Sequence, residues 1–248
     1  MLRPVFRSVF LVGALFLGSR AASAQQLQPS SPIRVQSVAS VQKYAIRERK
    51  LEATSLYPRF RSQSALARYA SWRVRQNAAQ RVNEFAAQAR RDLKEFTPMG
   101  NMAYDEAYAV HFHNPQKLIS LSVEHYQFMG GAHGISGVRG LNFGIPQGES
   151  RPRALVLGDF FRKGSNYQNE LDAALMKKLR AKKNPQPDFI ASGDVKTLRP
   201  DLIKNFVVEK DGLRWFFPPY AIGAYASGPF EAKLLKAELG PNFVDWTK

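Results

Sequence analysis

One stretch constrains this chain more than any other. From Ser64 to Phe96, apolar side chains recur at Leu66, Ala70, Val74, Ala78, Val82, Phe85, Ala89, Leu93 and Phe96. Steps of four and three keep these side chains on one face of a helix, and that face has to be buried. Ser64 is placed to cap its start, and Pro98–Gly100 end the run. Arg61, Arg68 and Arg75, seven apart, form a second stripe, followed by Arg81, Arg90, Arg91 and Lys94. Such a basic stripe is either a solvated face or a surface for an anionic polymer.

Strand patterns lie on both sides of the helix. Between Ile33 and Phe60, Ile33 and Val35 share one parity, while Val38, Tyr44 and Ile46 share the other. This predicts a strand or hairpin with a break near Ala39, closed at Tyr57–Phe60, where Pro58 resists both ladder and helix. After Gly100, Glu106–Asn114 and Gln116–Phe128 alternate, with Ile119, Leu121 and Val123 on one face. Arg139, Leu141, Phe143 and Ile145 share a parity in a third strand, which makes a meander. A second helix is predicted over Tyr167–Lys183 with Leu171, Leu175 and Leu179 aligned. Asp211-Gly212 marks a late hairpin, and Gly228–Leu239 offers a last strand. This order implies an α+β fold, a largely antiparallel sheet with one long N-terminal helix and a second helix packed on it. The expected division is a strand-helix part over 33–100 and an α+β part over 101–248.

The amino terminus is read as an address. Arg3 and Arg7 precede the apolar run Ser8–Gly18, and Ala22 and Ala24 occupy the small-residue positions of a secretory cleavage site. Residues 1–24 are therefore expected to be a signal peptide, and 25–32 a mobile, proline-containing leader. The expected location is secreted or periplasmic, with no transmembrane anchor after cleavage. The chain has no cysteine, which excludes disulfides, thiol catalysis, thiolate metal sites and a cysteine-linked lipid anchor. Cleavage removes Arg3, Arg7 and Arg20 from a formal net charge of +16 and leaves a strongly basic chain. Such an excess favours anionic envelope partners, and an exported protein rarely meets nucleic acid. No cofactor is implied.

All four histidines, His111, His113, His125 and His133, lie within one short part of the chain. Strand periodicity puts His111 and His113 on one face, and His125 would sit on the neighbouring strand. Convergence of the four would support a metal-dependent hydrolase of envelope polymers, the alternative to a binding role. The segment Phe128–Gly144 concentrates glycines around His133. It lacks the Lys-Ser/Thr of a phosphate loop and the spacing of a nucleophile elbow. Ser136 lies three residues from His133 with no orienting carboxylate nearby, so a tight turn is the simpler reading, and no catalytic residue is assigned. A third segment, Phe216–Phe230, is rich in Pro, Gly and aromatics, with Tyr220 and Tyr225 suited to a sugar ring, a protein partner or the end of a core.

The turn Gly130–Gly134, followed by "GLNF", "LGDFF", a helix and "WFFPPYAIGAYASGPFEAKL", resembles the extracytoplasmic domain of RsiV-type anti-sigma factors. That domain also accompanies the catalytic domain of PdaC-type peptidoglycan deacetylases. The resemblance covers residues 107–240 and, more weakly, 33–96. It implies an α+β extracytoplasmic module, used in RsiV to grip lysozyme, with Gly130, Gly131, His133 and Gly134 in the turn and Tyr220, Tyr225 and Gly228 in the late segment. Neither the anti-sigma nor the deacetylase domain is expected here. The expected function is a non-enzymatic binding module at the cell envelope. Its expected partner is an anionic wall polymer or an envelope protein, such as a lysozyme whose own basic charge would need a local acidic patch.

Overall fold

A computed structural model describes residues 35–248; the expected signal peptide, the leader and Ile33 lie outside the described residues. A helical turn, α1 (Val35–Val38), leads into the hairpin of β1 (Ala39–Glu48) and β2 (Leu51–Phe60). The expected break near Ala39 is the junction of α1 and β1, and the chain reverses later, at Arg49–Lys50, with Lys50 in the left-handed region at φ 63°. Pro58 does not close the strand, since it pairs with Val41 inside the β1–β2 ladder. The ladder tolerates it because β2 pairs with its other neighbour only over Leu51–Leu56, so the missing N–H breaks no hydrogen bond on that side.

The long helix is α2 (Ala65–Glu95). The backbone N–H of Ala67 donates to Ser64 Oγ at 3.1 Å, and that hydroxyl donates to the Pro115 carbonyl at 2.6 Å. One residue therefore caps the helix and ties it to the sheet. Its stripe from Leu66 to Ala89 is buried. The stripe fades at the end: Leu93 is partly covered, and Phe96 lies past the last turn in extended backbone, 45% exposed.

Six strands form the main sheet in sequence order: β1, β2, β3 (Met102–Asn114), β4 (Leu118–Phe128), β5 (Ile135–Gly144) and β6 (Arg153–Ala154). Only β2 and β3 are parallel, with α2 as their crossover. The sheet is continuous across residue 100. A second, antiparallel sheet contains β7 (Phe206–Glu209), β8 (Gly212–Phe217) and β9 (Phe230–Leu235). The fold is thus α+β and largely antiparallel. The second helix, α3 (Tyr167–Arg180), packs Leu171, Leu175 and Leu179 into the core of this smaller sheet.

Strand alternation divides the main sheet's two faces. Ile119, Leu121, Val123 and Phe143 join the core beneath α2, while Leu118 faces the core of the second sheet. The two sheets are joined by polar contacts from side chains to facing backbone groups. Ser120 Oγ accepts from the Val208 N–H and donates to Asn142 Oδ1, each at 2.7 Å, and Asn142 Nδ2 donates to the Phe206 carbonyl at 3.0 Å. Asn205 accepts from the Gly140 N–H and donates to the carbonyls of Val138 and Phe216, each at 2.9 Å. At this crossing a Cβ on Gly140 would lie 1.8 Å from the Phe206 carbonyl oxygen, so only glycine fits.

Candidate functional site

The glycine segment forms the β4–β5 turn and the whole of β5. Gly130 takes φ 86°, and Gly134 packs so closely on the Tyr126 ring that a Cβ would lie 2.3 Å from it. Against this turn folds the late aromatic segment. Tyr225 donates its hydroxyl to the Gly134 carbonyl at 2.9 Å, His133 Nδ1 lies 3.1 Å from the same oxygen, and the His133 and Tyr225 rings are 4.6 Å apart. Tyr220 continues the row, 5.6 Å from Tyr225, and is 61% exposed. Its backbone sits at φ 67°, unusual for an aromatic residue and held by a Tyr220 N–H to Gly223 carbonyl bond at 3.0 Å. Gly228 closes the segment at φ 76°, bonding back to Tyr225. Two sequence-distant segments therefore meet in an exposed aromatic ledge of His133, Tyr225 and Tyr220. Gly130 turns away toward Pro98 and Phe96, and Gly131 has open space beside it. The His133 ring is engaged by Tyr225 and Gly134, with no hydrogen bond to Ser136.

The four histidines do not converge. The β3 register shifts between Val110 and Phe112, so the expected face-sharing of His111 and His113 is lost. His111 turns to the second sheet, with Nε2 at 2.9 Å from Ser122 Oγ and Nδ1 at 3.6 Å from Glu209. His113 turns to the α2 side and stacks on Phe60 at 5.4 Å. His125 shares that side, but it pairs with Glu106 while His113 pairs with Ile119. The seven residue steps of β3 from Glu106 to His113 span about 23 Å. His133 is in the ledge. Among the described residues, no group of three or more His, Asp or Glu is placed to hold a metal ion. The alternative of a histidine metal centre required the four to converge, and this geometry does not bring them together. Burial lowers the pKa of both His113 and His125, and the Arg81 cation lowers that of His125 further.

Two charged clusters escaped the sequence reading. Beneath α2, the Glu106 side chain is fully buried and accepts four hydrogen bonds. Ser55 and Tyr108 donate to Oε1, each at 2.8 Å; Tyr104 and Arg81 donate to Oε2 at 2.7 and 2.8 Å. Burial raises both tyrosine pKa values above the ordinary range, and the nearby carboxylate adds to it. The spacing Tyr104, Glu106, Tyr108 was a legible signal, since strand period puts all three on one face. On the second sheet, Arg214 bonds Glu209 at 2.6 Å and Glu231 at 2.7 Å, and Lys233 bridges Glu209 and Asp211. Burial alone would raise the Glu209 pKa, but hydrogen bonds from His111, Arg214 and Lys233 together hold it well below the usual carboxylate range.

Beside Glu106 a cleft of about 590 Å³ opens between α2 and the β4–β5 hairpin. A second cavity of about 720 Å³ adjoins it, sharing Arg73, Asn77 and Leu141. The stripe residues Arg68 and Arg75 are exposed, whereas Arg81 turns inward to Glu106 and Arg90 pairs with Glu48. Among the described residues, no helix is long and apolar enough to cross a membrane.

This two-sheet α+β arrangement is shared with known proteins. Residues 47–136 match the family model "Deacetylase PdaC", and residues 158–235 match "Protein of unknown function (DUF3298)". A DUF3298 family protein from Pseudomonas aeruginosa PAO1 superposes with TM-score 0.59 at 16% identity, covering 83% of this chain and 93% of that one. A DUF3298 member from Bacteroides fragilis NCTC 9343 gives TM-score 0.49 at 16% identity, covering 84% and 96%. No curated protein matches. The two matches lie one after the other along the chain. The glycine turn falls within the segment similar to the PdaC model, and Tyr220, Tyr225 and Gly228 fall within the segment similar to the DUF3298 model, so the ledge is built from both matched segments.

Proposed function

We propose that the protein is a secreted or periplasmic, non-enzymatic binding module that acts at the cell envelope and takes anionic wall glycan. The exposed, pre-organised ledge of Tyr220, Tyr225 and His133 carries this reading. Flat aromatic faces suit the apolar faces of sugar rings, and holding an aromatic residue out in left-handed backbone costs about 1 kcal/mol or more. The strongly basic charge that remains after removal of Arg3, Arg7 and Arg20 supplies long-range attraction to an anionic polymer. The PdaC name of one matched model supports an envelope setting. Sedimentation with purified peptidoglycan tests the proposal. The protein should pellet with the polymer at low salt, release as salt rises, and pellet less as Tyr220→Ala; a protein that stays in the supernatant at low salt refutes it.

The same ledge favours a second reading, because exposed aromatic side chains anchor protein interfaces. An envelope-acting protein such as a lysozyme would then be the partner, to be tested by calorimetry against several lysozymes. Absence of heat with all of them would remove this reading.

A further inference from the structure

The cleft between α2 and the β4–β5 hairpin lies on the opposite face of the main sheet from the ledge, and its chemistry is different. Its lining combines three guanidiniums, from Arg73, Arg81 and Arg139, with carboxamides that include Asn77, Gln80 and Gln127. Tyr104, His125 and Phe85 supply the flat surfaces. Charges here are unequally satisfied. Arg81 is neutralised by the buried Glu106 behind it, and Gln80 donates to Glu84, the carboxylate of the lining, at 2.8 Å. Arg73 and Arg139 form no ion pair among the described residues. Arg73 lies over the Trp72 ring at 5.6 Å, and its Nε is buried without a hydrogen-bond partner there. The Nδ1 of His125 is buried in the same condition. Buried donors and acceptors are nearly always satisfied in a folded protein, so two such atoms on residues that line one cleft point to a polar environment completed there by an occupant.

We infer that this cleft binds a linear saccharide bearing carboxylates, with Arg73 and Arg139 reading the acid groups and the amide side chains reading hydroxyls. Guanidiniums match carboxylates in a two-pronged geometry. Carboxamides both donate and accept, as a hydroxyl requires. The α2 residues along the cleft, Arg73 to Glu84, cover about 16 Å at the helical rise, enough for an extended oligomer. An acidic peptide fits less well. Peptides commonly bind by adding to a strand edge, and the edge of β5 is already engaged by Asn205 at Val138 and Gly140.

The inference rests on the glycan reading above but concerns a different face, and its test separates the two. Calorimetry would compare an oligogalacturonate, a neutral maltooligosaccharide and a polyglutamate of similar length. The uronate should bind, the neutral sugar should not, and polyglutamate should be markedly weaker. Arg73→Gln and Arg139→Gln should each weaken uronate binding about tenfold, the size of one lost charge-assisted hydrogen bond. Arg75→Gln, the same charge change on the exposed side of α2, should stay within about twofold. Arg139 is exposed on β5, so its variant keeps the test sharp if Arg73→Gln disturbs helix packing. Equal losses for Arg75 and Arg139, or polyglutamate binding as tightly as the uronate, overturn the inference. Tyr220→Ala should leave uronate affinity unchanged while reducing wall sedimentation. Uronate binding without wall sedimentation would retain the cleft and dismiss the wall-binding role, and the converse would do the opposite.

Discussion

Replacing Glu106 probes the core and the cleft together. The carboxylate has no exposed surface, and four donors converge on its two oxygens. Glu106→Gln keeps the shape but removes the negative charge and half the accepting capacity. Whichever way the carboxamide turns, its NH2 meets two former donors. Ser55 and Tyr108 can rotate their hydroxyls to accept from it, so the stable orientation leaves the oxygen with Arg81 and Tyr104. Arg81 is then largely buried beside a neutral group. Removing one partner of a buried pair costs about 3–5 kcal/mol, and retention of one oxygen puts Glu106→Gln near the lower end, about 3 kcal/mol. Glu106→Leu removes all four bonds and should reach about 5 kcal/mol. With a urea dependence of roughly 3 kcal/mol per molar, the midpoint should fall by about 1 M for Gln and further for Leu. A midpoint shift below about 0.3 M for Gln would show that the buried charge contributes little and refute this reasoning.

Four further outcomes are expected. Gly140→Ala should destabilise by about 3 kcal/mol in urea titration, because the obstructing atom is a backbone carbonyl of the facing sheet that cannot swing aside. Gly131→Ala, where nothing lies nearby, should change stability by less than about 0.5 kcal/mol. Tyr220→Gly should leave thermal stability unchanged or raise it by about 1 kcal/mol by relieving left-handed backbone, while wall sedimentation falls. The Glu209 carboxyl titrates below its unfolded value, so its contribution is complete above about pH 4.5 and disappears as pH falls toward the folded value. Urea midpoints at pH 7 and pH 3 should therefore differ more for the native chain than for Glu209→Gln.

Much of the fold was legible because its signals are periodic. The α2 stripe, the β3–β5 meander and the Asp211-Gly212 hairpin appear where spacing placed them. The misreadings share a cause: each depended on a tertiary partner. Pro58 was read as a strand breaker because the sequence does not show that β2 is unpaired on one side at that point. His111 and His113 were put on one face because a bulge adds a residue without any local signature. Spacing puts Arg81 in the basic stripe, a solvated face or a polymer surface, because its buried partner Glu106 lies 25 residues away. Arg73 lies outside that stripe and passed unnoticed, for the same reason.

The glycine-rich stretch makes sense once its neighbours are known. Gly134 and Gly137 lie under the rings of Tyr126 and His125, and Gly140 lies under the Phe206 carbonyl. Just before and within β5 these glycines serve close approach more than chain reversal. Removing side chains along β5 lets two aromatic rings of β4 and a strand of the second sheet press onto it. His125 and Tyr126, adjacent in β4, point to opposite faces. One enters the arginine-lined cleft, and the other supports the turn whose Gly134 carbonyl holds Tyr225. The same short hairpin thus positions both candidate surfaces, back to back. A bulky substitution at Gly137 should therefore disturb the cleft first, and one at Gly134 the ledge, although the two positions are only three residues apart.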